Sequence, residues 1–499
     1  MKRNIFANFI GKFWSILSNF LFVPLYIKYL GFESYSIISF TLIIAGVLAV
    51  LDGGLTATLS REFARTDNSD SEKFRIFKTL ETIYLILIGL IIIVFLLLSN
   101  FIANNWLNLR TFEPYKISLF IKIISFDIGF QLLFRFYLGG LLGLEKQIHA
   151  NFFQICWGIL RNGLVVIVIM LNHSLELFFY WQTFSTVIST VLLKIYFEKT
   201  LTGRPFFKIG LRVEKEIIKK VWKFAVGMML ISLISALNTQ LDKIAISKLL
   251  SIENLGYYTL AVSLAQVLVV LTNPIATTLL PRFTAYFSSK QLNRVIELFR
   301  KIGVATSIFI FSFTAVLFFF SKELIWIWTG DMKLAQRSFM YLPVIAISMS
   351  MLSIVSIPYT ISIANGYTKL NNLLGVVSLF VTLPGYWIAT KYYGAIGAAF
   401  VFCFVQTLTT FVYLYFINKK FLKLKIVKEI YLQQIIIPLL LAFFIVFVLS
   451  KIPNIFTGNR ILSLLWISLI SIFTLIISSF ILFPFRDIKR LLAVKKITL

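Results

Sequence analysis

What constrains this chain most is a set of charge-free apolar runs that no water-exposed fold can absorb. Ile83–Ser99 reads IYLILIGLIIIVFLLLS, and Ile461–Phe483 reads ILSLLWISLISIFTLIISSFILF. Each is about as long as the ~20 residues that an α-helix needs to cross the hydrocarbon of a bilayer. Backbone groups find no water there, so such runs must close their own hydrogen bonds as helices. Composition agrees: 59% of the 499 residues are hydrophobic, 16% are aromatic, and the mean hydropathy is +0.89. The sequence predicts an all-α polytopic membrane protein.

Runs of this kind recur about fourteen times, near 9–30, 34–59, 79–99, 116–143, 152–171, 175–197, 221–249, 254–281, 302–326, 338–364, 370–390, 393–418, 430–450 and 461–483. The first follows Lys2 and Arg3 as in a signal peptide, but no small-residue cleavage site precedes Gly31–Phe32–Glu33, which predicts an uncleaved first helix. An even number of spans puts both termini on one side. The basic clusters of 61–78, 194–223, 282–301, 419–428 and 486–496 fall on that side as well. The positive-inside rule therefore places both termini in the cytoplasm, and it accounts for most of the formal net charge of +27 without nucleic acid. The basic loops also lack the interleaved aromatics that single-strand binding uses.

Little in the sequence supports catalysis. Cys156 and Cys403 lie inside apolar spans, where cysteine serves as a small packing residue. His149 and His173 are far apart and have no cysteine neighbours, and no phosphate loop, Ser/His/Asp order or HExxH occurs. The expectation is no metal, no cofactor and no enzyme.

An internal echo gives the first functional lead. Leu30–Phe63 and Leu250–Phe283 align without a gap at an offset of 220 residues, with Glu33/Glu253, Val47/Val267, Leu51/Leu271, Thr58/Thr278 and Phe63/Phe283 coinciding. Similarly, GLEKQIHANF at Gly143 parallels GYTKLNNLLG at Gly366. Six helices followed by six equivalents insert with the same orientation, the parallel-repeat arrangement of transporters that alternate access between two bundles. The expected architecture is two parallel six-helix lobes around a central cavity, residues 1–209 and 210–425, followed by two additional helices and a basic cytoplasmic tail in 426–499. In the echo, Asp52–Gly53–Gly54 aligns with Thr272–Asn273–Pro274. Paired helix-weakening residues at matching positions point to a transport site, so Gly53, Gly54 and Pro274 are expected helix interruptions.

Charges inside spans sharpen that lead, because a mid-helix charge costs roughly 2.5–3.5 kcal/mol on insertion and must face protein or a cavity. Asp127, Gln131 and Arg135 follow at i, i+4 and i+8 along one helix face. Gln154 and Arg161 share a face of the next span, and Asn238 and Asp242 pair at i, i+4 in the seventh. Arg161, Arg135, Gln131 and Gln154 are candidate substrate contacts. Asp52, Asp242, Asp127 and Asn238 are candidate ion-coupling residues, since burial disfavours a bare carboxylate and lets it exchange a proton or Na⁺. Lys28, Lys122 and Lys243 sit nearer span ends, where their stems can snorkel.

These residues carry a resemblance. FANFIGKFWSILSNFLFVPLYIKYLGFESYSIISF, LAVLDGGLTATLSREFAR, LDKIAISKLLSIENLGYYTLA, ISIANGYTKLNNLLG and YGAIGAAFVF resemble segments of the polysaccharide-transporter family, over residues 1 to about 420. Ser36 departs from the glycine common after the tyrosine. Fourteen helices rather than twelve is a count also found among lipid-linked peptidoglycan precursor flippases. The resemblance implies a flippase of the bacterial cytoplasmic (inner) membrane, carrying an undecaprenyl-diphosphate-linked oligosaccharide for O-antigen, lipopolysaccharide or capsule biosynthesis. Its implied partners are that substrate, membrane lipids and other glycan assembly proteins. Arginine suits such an anion through bidentate phosphate contacts. A peptidoglycan precursor flippase and a multidrug/cation antiporter are the neighbouring alternatives. A polytopic polysaccharide polymerase, which carries a large outside loop, fits less well with the short segments near 100–115 and 322–337.

Overall fold

The computed structural model describes residues 20–65, 69–109, 112–203, 213–367, 369–454, 456 and 458–482. The start of the first expected span, the 204–212 linker and the basic tail lie outside the described residues. Helices and the short turns between them make up the described residues, with no strand beyond one isolated bridge between Asn108 and Ser251. Eleven helices among them are long and apolar enough to cross a membrane. The expected count of fourteen is neither confirmed nor excluded by the described residues. Two of the expected spans sit in one helix, Lys369–Ile417, which bends at Gly394 (φ 68°, ψ −160°). The left-handed φ is one that glycine adopts without a Cβ clash. Leu97, Leu171, Phe380 and Ile461 are more than 70% exposed on helix surfaces, a placement that only hydrocarbon rewards.

The chain divides into two compact units, Met1–Gly256 and Tyr257–Leu499. The first holds α1 (Phe20–Leu30), α2 (Phe32–Ala64), α3 (Asp70–Phe101), α4 (Pro114–Gly143), α5 (Gln147–Gly158), α6 (Leu164–Asn172), α7 (Leu175–Thr202) and α8 (Lys215–Leu249). α4 is its central helix, packed on α2, α3 and α7, while α8 lies along α2. Glycines permit these approaches. A Cβ on Gly140 falls 2.6 Å from the Phe197 ring of α7, and one on Gly143 falls 2.6 Å from the Ser60 carbonyl of α2. Gly139 presses on Thr56 in the same way. The Gly139–Gly143 stretch is thus a close-packing surface, as expected of small residues between membrane helices.

The second unit comprises α10 (Val267–Ser288), α11 (Leu292–Phe319), α12 (Ser321–Thr329), α13 (Met332–Ser338), α14 (Tyr341–Ala364), α15 (Lys369–Ile417), α16 (Ile437–Ser450) and α17 (Arg460–Leu482), with α9 (Ile252–Ala265) leading into it. α14 packs on α10, α11 and α15, and the last two helices, α16 and α17, pack on α11. Arg460 fixes α17 at its start by donating to the Ile327 carbonyl at 2.9 and 2.6 Å. Buried hydroxyls inside these helices bond back along their own turn, as Ser312 does to Ile308 O and Thr314 to Ile310 O, both at 2.7 Å. A hydroxyl in hydrocarbon has few other partners.

Candidate functional site

Arg161 stands near the middle of the 26-residue apolar stretch Gln147–Asn172. Its Nη1 and Nη2 donate to Asp127 Oδ1 and Oδ2 at 2.6 and 2.8 Å, a two-pronged pair between the fifth span and α4. Nη1 also reaches Thr186 Oγ1 at 2.5 Å and the Gln182 carbonyl at 3.2 Å, both on α7. Trp157, one turn earlier, lies under the guanidinium at 5.6 Å. Gln131 Nε2 donates to Asp127 Oδ2 at 2.9 Å, closing the far side of the carboxylate. The charge that the lipid would reject is thus neutralised inside the protein, with fork-to-carboxylate geometry that lysine cannot copy.

A second cluster lies further along α4. Asp52 of α2 accepts from Thr56 and from the Tyr84 hydroxyl of α3, the latter at 2.7 Å. That hydroxyl also lies 3.2 Å from the Leu132 carbonyl of α4. Arg135 acts electrostatically on both Asp52 and Tyr84, yet among the described residues it makes no ion pair with a carboxylate. Since Asp127 and Arg135 are eight residues apart on one helix, roughly 12 Å separates an arginine site closed by an ion pair from one that feels Asp52 only at longer range.

The other expected residues fall elsewhere. Gln154 is partly buried on α5 and takes no part in the Arg161 cluster. Asp242 is buried on α8 with Lys243 Nζ at 3.5 Å, and Asn238 one turn before it donates to Ile234 O at 2.9 Å. The expected interruptions take another form. Gly53 and Gly54 lie inside α2, which continues as α-helix from Phe32 to Ala64, and Pro274 lies inside α10. Gly54 instead admits the Ala225 carbonyl of α8, which a Cβ would strike. In the second copy of the echo the helix is interrupted only at Gln266, between α9 and α10, where the backbone stays right-handed. Hydrocarbon explains the continuity, because a broken turn there leaves backbone groups unpaired.

Sequence reasoning missed a third cluster. Lys78 Nζ contacts Glu81 at 2.8 Å and Glu198 at 2.9 Å, Lys194 contacts Glu81 at 3.0 Å, and the Tyr137 hydroxyl donates to Glu81 at 2.7 Å. Lys78, Glu81 and Glu198 are all at most 5% exposed. The i, i+3 pair Lys78–Glu81 was the visible signal. No group of three or more His, Cys, Asp or Glu suited to a metal occurs among the described residues.

With this geometry in place, residues 1–287 match the family described as polysaccharide biosynthesis protein. The chain belongs to that family. A putative O-antigen transporter of Shigella flexneri is 21% identical over 371 residues, 74% of this chain and 86% of the relative. Among solved structures, the lipid II flippase MurJ in an inward closed conformation superimposes with a TM-score of 0.74 at 18% identity, covering 98% of this chain and all of the other. An inward-facing multidrug resistance MATE family transporter of the MOP superfamily gives 0.68 at 13% identity over 83% of this chain and 96% of the other. This member of the polysaccharide biosynthesis family therefore has a MATE/MurJ-like transporter fold, and the relatives named are transporters or flippases.

Proposed function

We propose that the protein is a flippase that moves an undecaprenyl-diphosphate-linked oligosaccharide repeat unit across the bacterial cytoplasmic membrane by alternating access, coupled to an ion gradient. The observation that carries this reading is the face of α4, where one arginine is held by a resident carboxylate and the other makes no ion pair among the described residues. A diphosphate is an anion that must travel through low dielectric, where it needs a charge already in place. Arg135 offers that charge. Arg161 offers a second when the phosphate replaces Asp127 in its fork, and Asp127, once released, is free to take a proton or a cation. Asp52 and Asp242, with Asn238, are the further coupling candidates, and both termini lie in the cytoplasm in this reading.

Expression in a strain that lacks its own repeat-unit flippase tests it. Surface glycan should return with the parent chain and fail to return with Arg161→Ala or Arg135→Ala at matched expression. Full export by both variants overturns the anion route. A second reading, a peptidoglycan precursor flippase, is favoured by the fold likeness that extends over α16 and α17. Rescue of a strain depleted of its lipid II flippase, without glycan rescue, selects that reading.

A further inference from the structure

The fifth span is not one α-helix. α5 ends at Gly158, Ile159–Gly163 form a π turn, and α6 begins at Leu164, whose N–H reaches back five residues to the Ile159 carbonyl. Arg161 is the central residue of that turn. Three successive carbonyls of it each receive a side-chain donor from another helix. Trp181 Nε1 donates to Leu160 O at 2.9 Å, Gln182 Nε2 to Arg161 O at 3.0 Å, and the Tyr26 hydroxyl of α1 to Asn162 O at 3.0 Å. Since Gln182's own carbonyl accepts from Arg161 Nη1, Arg161 and Gln182 exchange bonds in both directions.

A π turn holds one residue more than the α-helix around it, so its ladder is irregular, and water cannot repair that irregularity at this depth. The three donors can. We propose that Trp181, Gln182 and Tyr26 are positioning residues, which hold the turn in the π form and thereby aim the Arg161 guanidinium at Asp127 and Thr186. Relaxation of the turn to an α-helix shifts the register by one residue, about 100° of helix rotation, and carries Arg161 off Asp127. The functional weight of this device rests on the reading of Arg161 as a phosphate contact; the geometry itself does not.

The test uses the full chain in lipid nanodiscs with ¹⁵N-labelled arginine, the Arg161 signal being the one lost in Arg161→Lys. Gln182→Leu and Trp181→Phe should each speed exchange of the Arg161 guanidinium protons about tenfold, the weight of one net hydrogen bond. Tyr26→Phe, which removes a single oxygen, should do so to a smaller extent and keeps the test open if a larger change prevents folding. Thr183→Val, whose hydroxyl bonds only to Phe179 O of its own helix, should leave the exchange as it is. Unchanged exchange in Gln182→Leu, Trp181→Phe and Tyr26→Phe overturns the proposal. Titration with inorganic pyrophosphate separates the two ideas. Equal affinity in the parent and Arg161→Ala removes the phosphate reading while the exchange data still decide the positioning role, and weaker binding in Gln182→Leu joins the two.

Discussion

Arg161 and Asp127 face each other across two helices with both prongs of the guanidinium engaged, at 2.6 and 2.8 Å, and with little of either side chain exposed. Removing one member of such a pair leaves the other charge stranded, which costs about 3–5 kcal/mol, whereas replacing both by apolar residues is often neutral. Asp127→Asn should therefore lower the thermal midpoint of the purified protein sharply. The double variant Asp127→Leu/Arg161→Met should recover most of that loss without recovering export. A double variant as unstable as the single one would show that the pair contributes more than mutual neutralisation.

Arg135 should behave in the opposite way. It makes no ion pair among the described residues, so its removal breaks none and takes from Asp52 only a charge acting at longer range. Arg135→Ala should therefore cost less stability than Asp127→Asn, while glycan export falls to background. Arg135→Lys should restore export in part, since an ammonium keeps the charge and loses the fork. Wild-type export by the alanine variant would assign the cation no role in transport.

For coupling, Asp52→Asn and Asp242→Asn provide the comparison. Asp52 accepts from Thr56 and Tyr84, and Asp242 lies beside Lys243, so each amide replaces a charge in a defined setting. At least one of the two should abolish gradient-driven export of surface glycan. Export at parental level in both would remove the coupling role from these carboxylates.

Glycine packing yields a prediction about stability alone. A Cβ at Gly143 falls 2.6 Å from the Ser60 carbonyl, and one at Gly54 strikes the Ala225 carbonyl. Either change to alanine should destabilise by about 1–3 kcal/mol, the usual cost of overpacking. Gly89, on α3, has open space around it, so Gly89→Ala should be neutral or stabilise by up to about 1 kcal/mol through helix propensity. Thermal melts of the three variants in one detergent check the order.

How much of this was legible depended on the range of the signal. Apolar runs are local, and they located the helices of both units. The Asp127–Gln131–Arg135 face was legible too, because helical spacing is a local rule. That Asp127 belongs to Arg161 was not, since the two are 34 residues apart and nothing in either segment names the other. Lys78 read as one member of the basic 61–78 cluster, and its burial against Glu81 and Glu198 was not legible, because burial near a span end is decided by neighbouring helices. Gly53, Gly54 and Pro274 misled for a related reason: a weak helix former does not break a helix when hydrocarbon forbids the alternatives. The π turn at Ile159–Gly163 had only Gly158 before it and Gly163 at its end to announce it.

Gly139 sets the gap between α2 and α4 to the thickness of the Thr56 methyl, and the hydroxyl on the same carbon points to Asp52. Whatever arrives at that carboxylate and turns the hydroxyl away must also swing the methyl into a seam with no slack. One Thr56 side-chain torsion thus ties the hydrogen bond on Asp52 to the spacing of two helices.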